Sequence, residues 1–331
     1  MTEQSESPGE AALPESTAAD PVPAEIVSTP RPRWRVILTS IIGPILLFGV
    51  FYVGSTLAFG LAVYPLVGAG NDLRATTAYS NVSLLAALVA SFACIRICDR
   101  GRWKLGLAGT ARSIGWQSLA GLGVATAVIG LADLLIVLTT NFRHVKGPGF
   151  DWWHVLVLFL PAAAHEELVF RGYPFQKLLT WNKTGAVLIS SLIFMAVHLG
   201  NPGVEFIGMA DVFVAGVLLA LAYLVWNSLW FPIALHFCWN VLSGPVLGHE
   251  VSGLKFNTTV LRTIDPGPAI LTGGPFGIEA SIFTLVLDIV AALILMAVVI
   301  RRRNRIPLIG VSMETAVTSS AAAGIEDLER Q

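Results

Sequence analysis

The sequence predicts an all-α fold: a polytopic membrane helix bundle of about eight transmembrane helices enclosing a polar cavity. Two compositional observations and one of pattern carry this. Hydrophobic residues make up 54% of the 331 residues and charged residues only 13%, with a mean hydropathy of +0.71. Soluble domains hold about 25% charged residues, so this chain cannot cover a water-facing surface in the usual way. The apolar residues also fall in long unbroken runs, whereas a β-barrel needs segments of about ten residues that alternate apolar and polar.

Taking about 20 residues as enough to cross the hydrocarbon core, the runs fall near 35–60, 79–99, 114–140, 152–179, 184–200, 206–226, 229–247 and 278–301. The apolar stretch 59–68 either extends the first helix or lies at the interface. Polar tails are expected at 1–33 and 304–331, flanking a transmembrane bundle at 34–303. The first tail is rich in Glu, Pro, Ala and Ser and cannot bury enough apolar surface to order itself. It also lacks the basic start and short apolar core of a cleaved signal peptide.

Basic residues remain preferentially on the cytoplasmic side. Placing the N-terminus inside puts Arg31, Arg33 and Arg35, then Arg96, Arg100, Arg102, Lys104 and Arg112, on that side. Lys177, Lys183, Arg301, Arg302, Arg303 and Arg305 join them, while the outer side receives only Arg74, Arg143, Lys146, Lys255 and Arg262. Both termini are therefore expected in the cytoplasm. A net charge of −1 and a pI near 6.6 give no sign of nucleic-acid binding. The partners expected are the lipid bilayer and a membrane-associated peptide or protein. Cys94, Cys98 and Cys238 lie in apolar stretches and read as small buried hydrophobes. Abundant Ala and an excess of Arg over Lys suggest a GC-rich bacterial genome, and so a bacterial plasma membrane.

Ionisable groups inside a bilayer are expensive, so their positions point to function. The densest place is the fourth segment, His165-Glu166-Glu167-Leu168-Val169-Phe170-Arg171-Gly172. Glu167 and Arg171 are spaced i,i+4, with the acid N-terminal to the base, and are expected to form an ion pair. Glu166 points about 100° away around the helix and is left without that partner, as a general base requires. His198 ends the fifth segment, and His236 and Asn240 share a face of the seventh, again at i,i+4. Together these residues could hold a water, with Glu166 taking its proton and His198, His236 and Asn240 positioning it or stabilising an oxyanion. Counting residues from the helix ends, the site is expected in a water-accessible cavity open toward the cytoplasm, with the Gly200-Asn201-Pro202-Gly203 break lining it.

Glu166-Glu167-x-x-x-Arg171, Phe194-x-x-x-His198 and His236-x-x-x-Asn240 resemble, in order and spacing, the three motifs of the CPBP family. That family comprises the type II CAAX prenyl endopeptidases and the bacteriocin-processing or self-immunity proteins. The resemblance spans about 160–245, and implies a protease-like core near 150–250 and an endopeptidase activity. It implies that Glu166 activates the water, that His198, His236 and Asn240 complete the site, and that Glu167 and Arg171 support it. Members are often described as metalloproteases, although this chain has no HExxH. A single Zn²⁺ on Glu166, His198 and His236 would have acceptable ligand chemistry. As a ligand, however, Glu166 could not also be a free base, and a water held by glutamate and histidines is the preferred reading.

Asp133, Asp211 and Asp288 lie in the third, sixth and eighth segments and read first as packing or cavity-facing groups. With the glutamates they could instead form a proton path, as in a proton-coupled transporter. A non-enzymatic scaffold or immunity protein is the other alternative. His249 and Glu250 fall in an outer loop and carry no expected role.

Overall fold

The computed structural model describes residues 33–69, 72–264 and 267–305. The tails expected at 1–33 and 304–331 lie, apart from Arg33 and residues 304–305, outside the described residues. Short α1 (Arg33–Ile37) runs through a π-helical turn at Leu38–Ile42 into α2 (Gly43–Val67), so the apolar stretch 59–68 does extend the first helix. Then come α3 (Leu73–Cys98), α4 (Ala111–Thr139), β1 (Arg143–Lys146), α5 (Leu160–Phe170) and α6 (Tyr173–Leu179). They are followed by α7 (Lys183–Val197), α8 (Phe206–Trp226), α9 (Trp230–Val241), β2 (Leu261–Ile264), α10 (Ala269–Thr272) and α11 (Ile282–Arg305).

The starts and stops follow from local chemistry. Asp72, Thr110 and Asn182 cap α3, α4 and α7, their side chains accepting from the backbone N–H groups of Ala75, Ser113 and Gly185. Asn227, in the left-handed conformation at φ 51°, ends α8. The fourth apolar segment, expected as one helix over 152–179, is broken in two. Its first part is a π-helical turn at Val155–Phe159 leading into α5; Arg171 ends α5, and the chain turns at Gly172 into α6. A Cβ on Gly172 would stand 2.1 Å from the Leu168 carbonyl oxygen, so only glycine fits this bend.

Among the described residues, five helices are long and apolar enough to cross a membrane: Leu38–Val67, Leu73–Cys98, Ala111–Thr139, Phe206–Trp226 and Ile282–Arg302. Exposed Leu46, Val50, Leu61, Leu138 and Leu293 stud their outer faces, as a lipid-facing surface requires. The protein is an integral membrane protein. The expected fourth, fifth and seventh spans are shorter. Helix α7 has 15 residues, about 22 Å of helix against a hydrocarbon core of about 30 Å. These three short helices carry the candidate catalytic residues.

The closest packing is between α4 and α9, with α2 on α3 and α11 and α7 on α8. Contacts between segments define two ends. At one, the 99–110 stretch meets α6 and the α8–α9 corner: Lys177 pairs with Asp99, Leu229 N–H donates to Gly106 O at 3.0 Å, and Arg302 donates to Val225 O at 3.0 Å. Most of the basic residues gather there. At the other end β1 and β2 pair antiparallel, Arg143 opposite Ile264, and form a cap with the 247–260 and 267–281 stretches.

Gly121 on α4 governs the fit of α4 to α9. A Cβ there would meet Leu235 N at 2.6 Å and Phe231 O at 2.7 Å, both backbone atoms of α9. Gly121→Val should force the two helices apart and cost about 1–3 kcal/mol. Thermal unfolding in detergent checks this, with Gly123→Ala, which meets nothing within 4 Å, expected to melt near wild type.

Candidate active site

Helix α5 presents its two carboxylates to different surroundings. The Glu167 side chain is fully buried, whereas that of Glu166 keeps 28% of its exposure. Arg171 Nη1 donates to Glu167 Oε1 at 3.1 Å, so the i,i+4 pair expected from the sequence is formed. Arg171 Nη2 donates to the Gly216 carbonyl at 2.9 Å, and the guanidinium lies over the Phe194 ring at 4.5 Å. A buried ion pair needs such extra partners to offset its desolvation.

The pair reaches α9 through one further bond: His236 Nδ1 donates to Glu167 Oε1 at 2.9 Å. The carboxylate can only accept, so the Nδ1 nitrogen carries the proton and Nε2 is turned outward. Nε2 lies 3.8 Å from Glu166 Oε2, too far for a direct hydrogen bond. Arg171, Glu167, His236 and Glu166 thus form one chain of polar groups, running from a closed interior to an accessible carboxylate.

His198 caps the C-terminus of α7 and its Nδ1 donates to the Phe194 carbonyl at 2.7 Å, which leaves Nε2 as the free nitrogen. The Phe194 ring stands between the histidines, 4.7 Å from the His198 ring and 6.1 Å from that of His236. All of Glu166, His198, His236 and Asn240 line one cavity of about 640 Å³. That volume lies within the range of ligand sites, and its wall is mostly apolar, including Phe159, Phe170, Val197, Leu219 and Trp239. Glu167 and Arg171 lie behind the wall.

The cavity lining runs from Glu166 to Thr76, Asn201, Ser252 and Phe256, and so reaches the capped end of the bundle. The metal set expected from the resemblance was Glu166, His198 and His236. Among the described residues, the one group of three such side chains with ligand atoms within 4.8 Å of one another is Asp133, His144 and His249. Glu166, His198 and His236 do not converge in that way, because Phe194 separates the histidine rings and His236 Nδ1 is held by Glu167. These residues do not fit a single Zn²⁺ as they stand.

Other groups were not anticipated. Tyr52 on α2 lies 2.6 Å from His165 Nε2, and both line the cavity. Glu279 lines its far side, accepting from Trp239 Nε1 at 2.9 Å and from Ser252 N and Oγ at 2.6 and 2.7 Å. Asp211 and Asp288 are buried next to Glu279, whereas Asp133 is tied to two histidines elsewhere. The three aspartates therefore do not make one path.

Residues 148–242 match the family model of the Rce1-like type II CAAX prenyl endopeptidases. This stretch is a CPBP-family domain. It spans the π-helical turn before α5 through α9, and so contains all six residues singled out by the motifs. The match stops short of Tyr52 and Glu279, which reach His165 and Trp239 of that stretch from outside it. No curated protein and no solved structure matches the chain.

The buried pair makes a stability prediction. Arg171→Met removes the cation beside Glu167 and leaves its buried carboxylate with the His236 imidazole alone, and should cost about 3–5 kcal/mol. Thermal unfolding of the purified protein in detergent measures this; a loss under about 1 kcal/mol would mean that Glu167 finds other partners.

Proposed function

We propose that the chain is an intramembrane endopeptidase that hydrolyses peptide bonds of membrane-associated substrates with a water activated by Glu166 and His236. The single observation that carries this reading is the facing of Glu166 Oε2 and His236 Nε2 at 3.8 Å on the wall of a mostly apolar cavity. Both atoms can accept a hydrogen bond when His236 is neutral with its proton on Nδ1. A water between them donates one O–H to each and turns its free lone pair toward the substrate carbonyl. Glu166 takes the proton as the C–O bond forms. Asn240, one turn from His236, offers its side-chain N–H groups to the oxyanion. His198 Nε2 accepts from, or once protonated donates to, the reacting groups, and the proton from the water ends on the leaving amine. Glu167 and Arg171 hold His236 in its working tautomer, and no step requires a metal.

The apolar wall suits an extended peptide carrying large apolar side chains, and prenylated CAAX termini are one such substrate class. On this reading the protein sits in a bacterial plasma membrane with its basic end and both termini in the cytoplasm, and substrate reaches the cavity from the opposite side or through the bilayer.

Glu166→Gln keeps the shape and removes the base. It should lower cleavage by about 10²–10⁴-fold with the melting temperature near wild type. The check compares membrane-peptide termini in cells lacking this protein, complemented with wild type or Glu166→Gln at matched expression. New termini with wild type alone are the expected result. Identical termini with both forms, together with full rescue by both, would favour a non-enzymatic scaffold or immunity protein.

A further inference from the structure

A second polar cluster stands at the capped end of the bundle, and the hydrolytic site does not use it. Asp133 projects from the last turns of α4, His144 from β1 and His249 from the loop after α9. His144 Nε2 lies 2.9 and 3.0 Å from the two Asp133 oxygens, and His249 Nε2 lies 2.7 Å from Oδ1. The two imidazole planes are nearly perpendicular, at 85°, so their Nε2 atoms converge on one point from different directions. Phe142 stacks on His249 at 5.1 Å and meets His144 edge-on at 5.3 Å, fixing both rings.

The backbone is also built for this convergence. Gly248 has φ +80° and a Cβ there would stand 2.1 Å from the Leu261 carbonyl oxygen, so the chain crosses β2 closely just before His249. His144 pairs with Thr263 in the adjacent register. As a bare hydrogen-bond network the cluster is incomplete, since the buried His144 Nδ1 has no hydrogen-bond partner.

We infer that Asp133, His144 and His249 form a site for a divalent transition metal of the Zn²⁺ type, which clamps the cap over the cavity. Two imidazole nitrogens and one carboxylate oxygen are a ligand set that Zn²⁺ accepts, with water completing a tetrahedron. Ligand atoms on such an ion, at about 2.0–2.2 Å from it, stand roughly 3.3 Å apart. The observed separations need to open by only a few tenths of an ångström. Partly exposed His144 gives the ion its way in. The ion would join α4, β1 and the 247–256 stretch, and that stretch supplies Val251, Ser252, Leu254 and Phe256 to the cavity wall. Its role is structural, independent of Glu166.

The test uses full-length protein in detergent, stripped with a chelator and titrated with Zn²⁺ or Co²⁺ alone. The expected result is uptake of one ion per chain, a higher melting temperature, and a tetrahedral Co²⁺ absorption band. Glu166→Gln should keep all three. Asp133→Asn and His144→Gln should each weaken uptake by more than about 100-fold, since even outer-shell changes around a metal cost roughly 10–100-fold. Because the titration of wild type needs no variant, misfolding of either substitution leaves the test intact. Absence of saturable uptake by wild type would overturn the inference. So would uptake that survives Asp133→Asn and disappears in Glu166→Gln, which would put the ion at the hydrolytic site.

Discussion

The candidate site depends on one buried carboxylate. Glu167 Oε1 takes both the Arg171 guanidinium at 3.1 Å and the His236 imidazole at 2.9 Å, within a region that excludes water. Three elements are tied by that oxygen and its partners: α5 supplies the acid and the arginine, α9 the histidine, and α8 the Gly216 carbonyl that accepts from Arg171. Charge in such a place is tolerated only when it is paired, and here Glu167 Oε1 and the two Arg171 Nη atoms are, while Glu167 Oε2 and Arg171 Nε have no hydrogen-bond partner. The arrangement therefore selects a single packing of α5, α8 and α9. It also directs His236 Nε2 toward Glu166 and so converts a structural ion pair into an orienting device for the cavity wall.

Helix length is the second constraint. The helices bearing Glu166, His198 and His236 are short, whereas α2, α3, α4, α8 and α11 are long enough to span a bilayer. The short α7 ends beside the cavity with its outer face exposed at Ile193, Val197 and Leu199. His198 caps α7, bonds the Phe194 carbonyl, and still borders the cavity. The tight seam between α4 and α9 holds one of these short helices in place, with Gly121 allowing the backbones to approach.

Much of the fold and of the site's local geometry was legible in the sequence, because both depend on helical periodicity. The i,i+4 spacing of Glu167 and Arg171 predicted their pair, and the 100° offset of Glu166 predicted its freedom. The Rce1-like match over 148–242 agrees with the motif reading of the same residues. What was not legible depends on contacts distant in sequence or on helix ends. Tyr52 meets His165 across 113 residues, and His249 meets Asp133 across 116, with no local pattern to announce either. His249 was dismissed as a loop residue because its burial arises only once the cap folds over α4. The break at Gly172 was missed for a related reason: the apolar run continues through it, and only the approach of the Leu168 carbonyl requires glycine.

The most direct measurement of the central claim is the nitrogen spectrum of His236 in protein labelled with ¹⁵N-histidine, recorded at mildly alkaline pH and assigned by loss of signal in His236→Gln. The account predicts a neutral ring with the proton on Nδ1 and an unprotonated Nε2, and loss of that preference in Glu167→Gln. A proton on Nε2 with a bare Nδ1 in the wild type would contradict it, because His236 could not then accept from a water shared with Glu166.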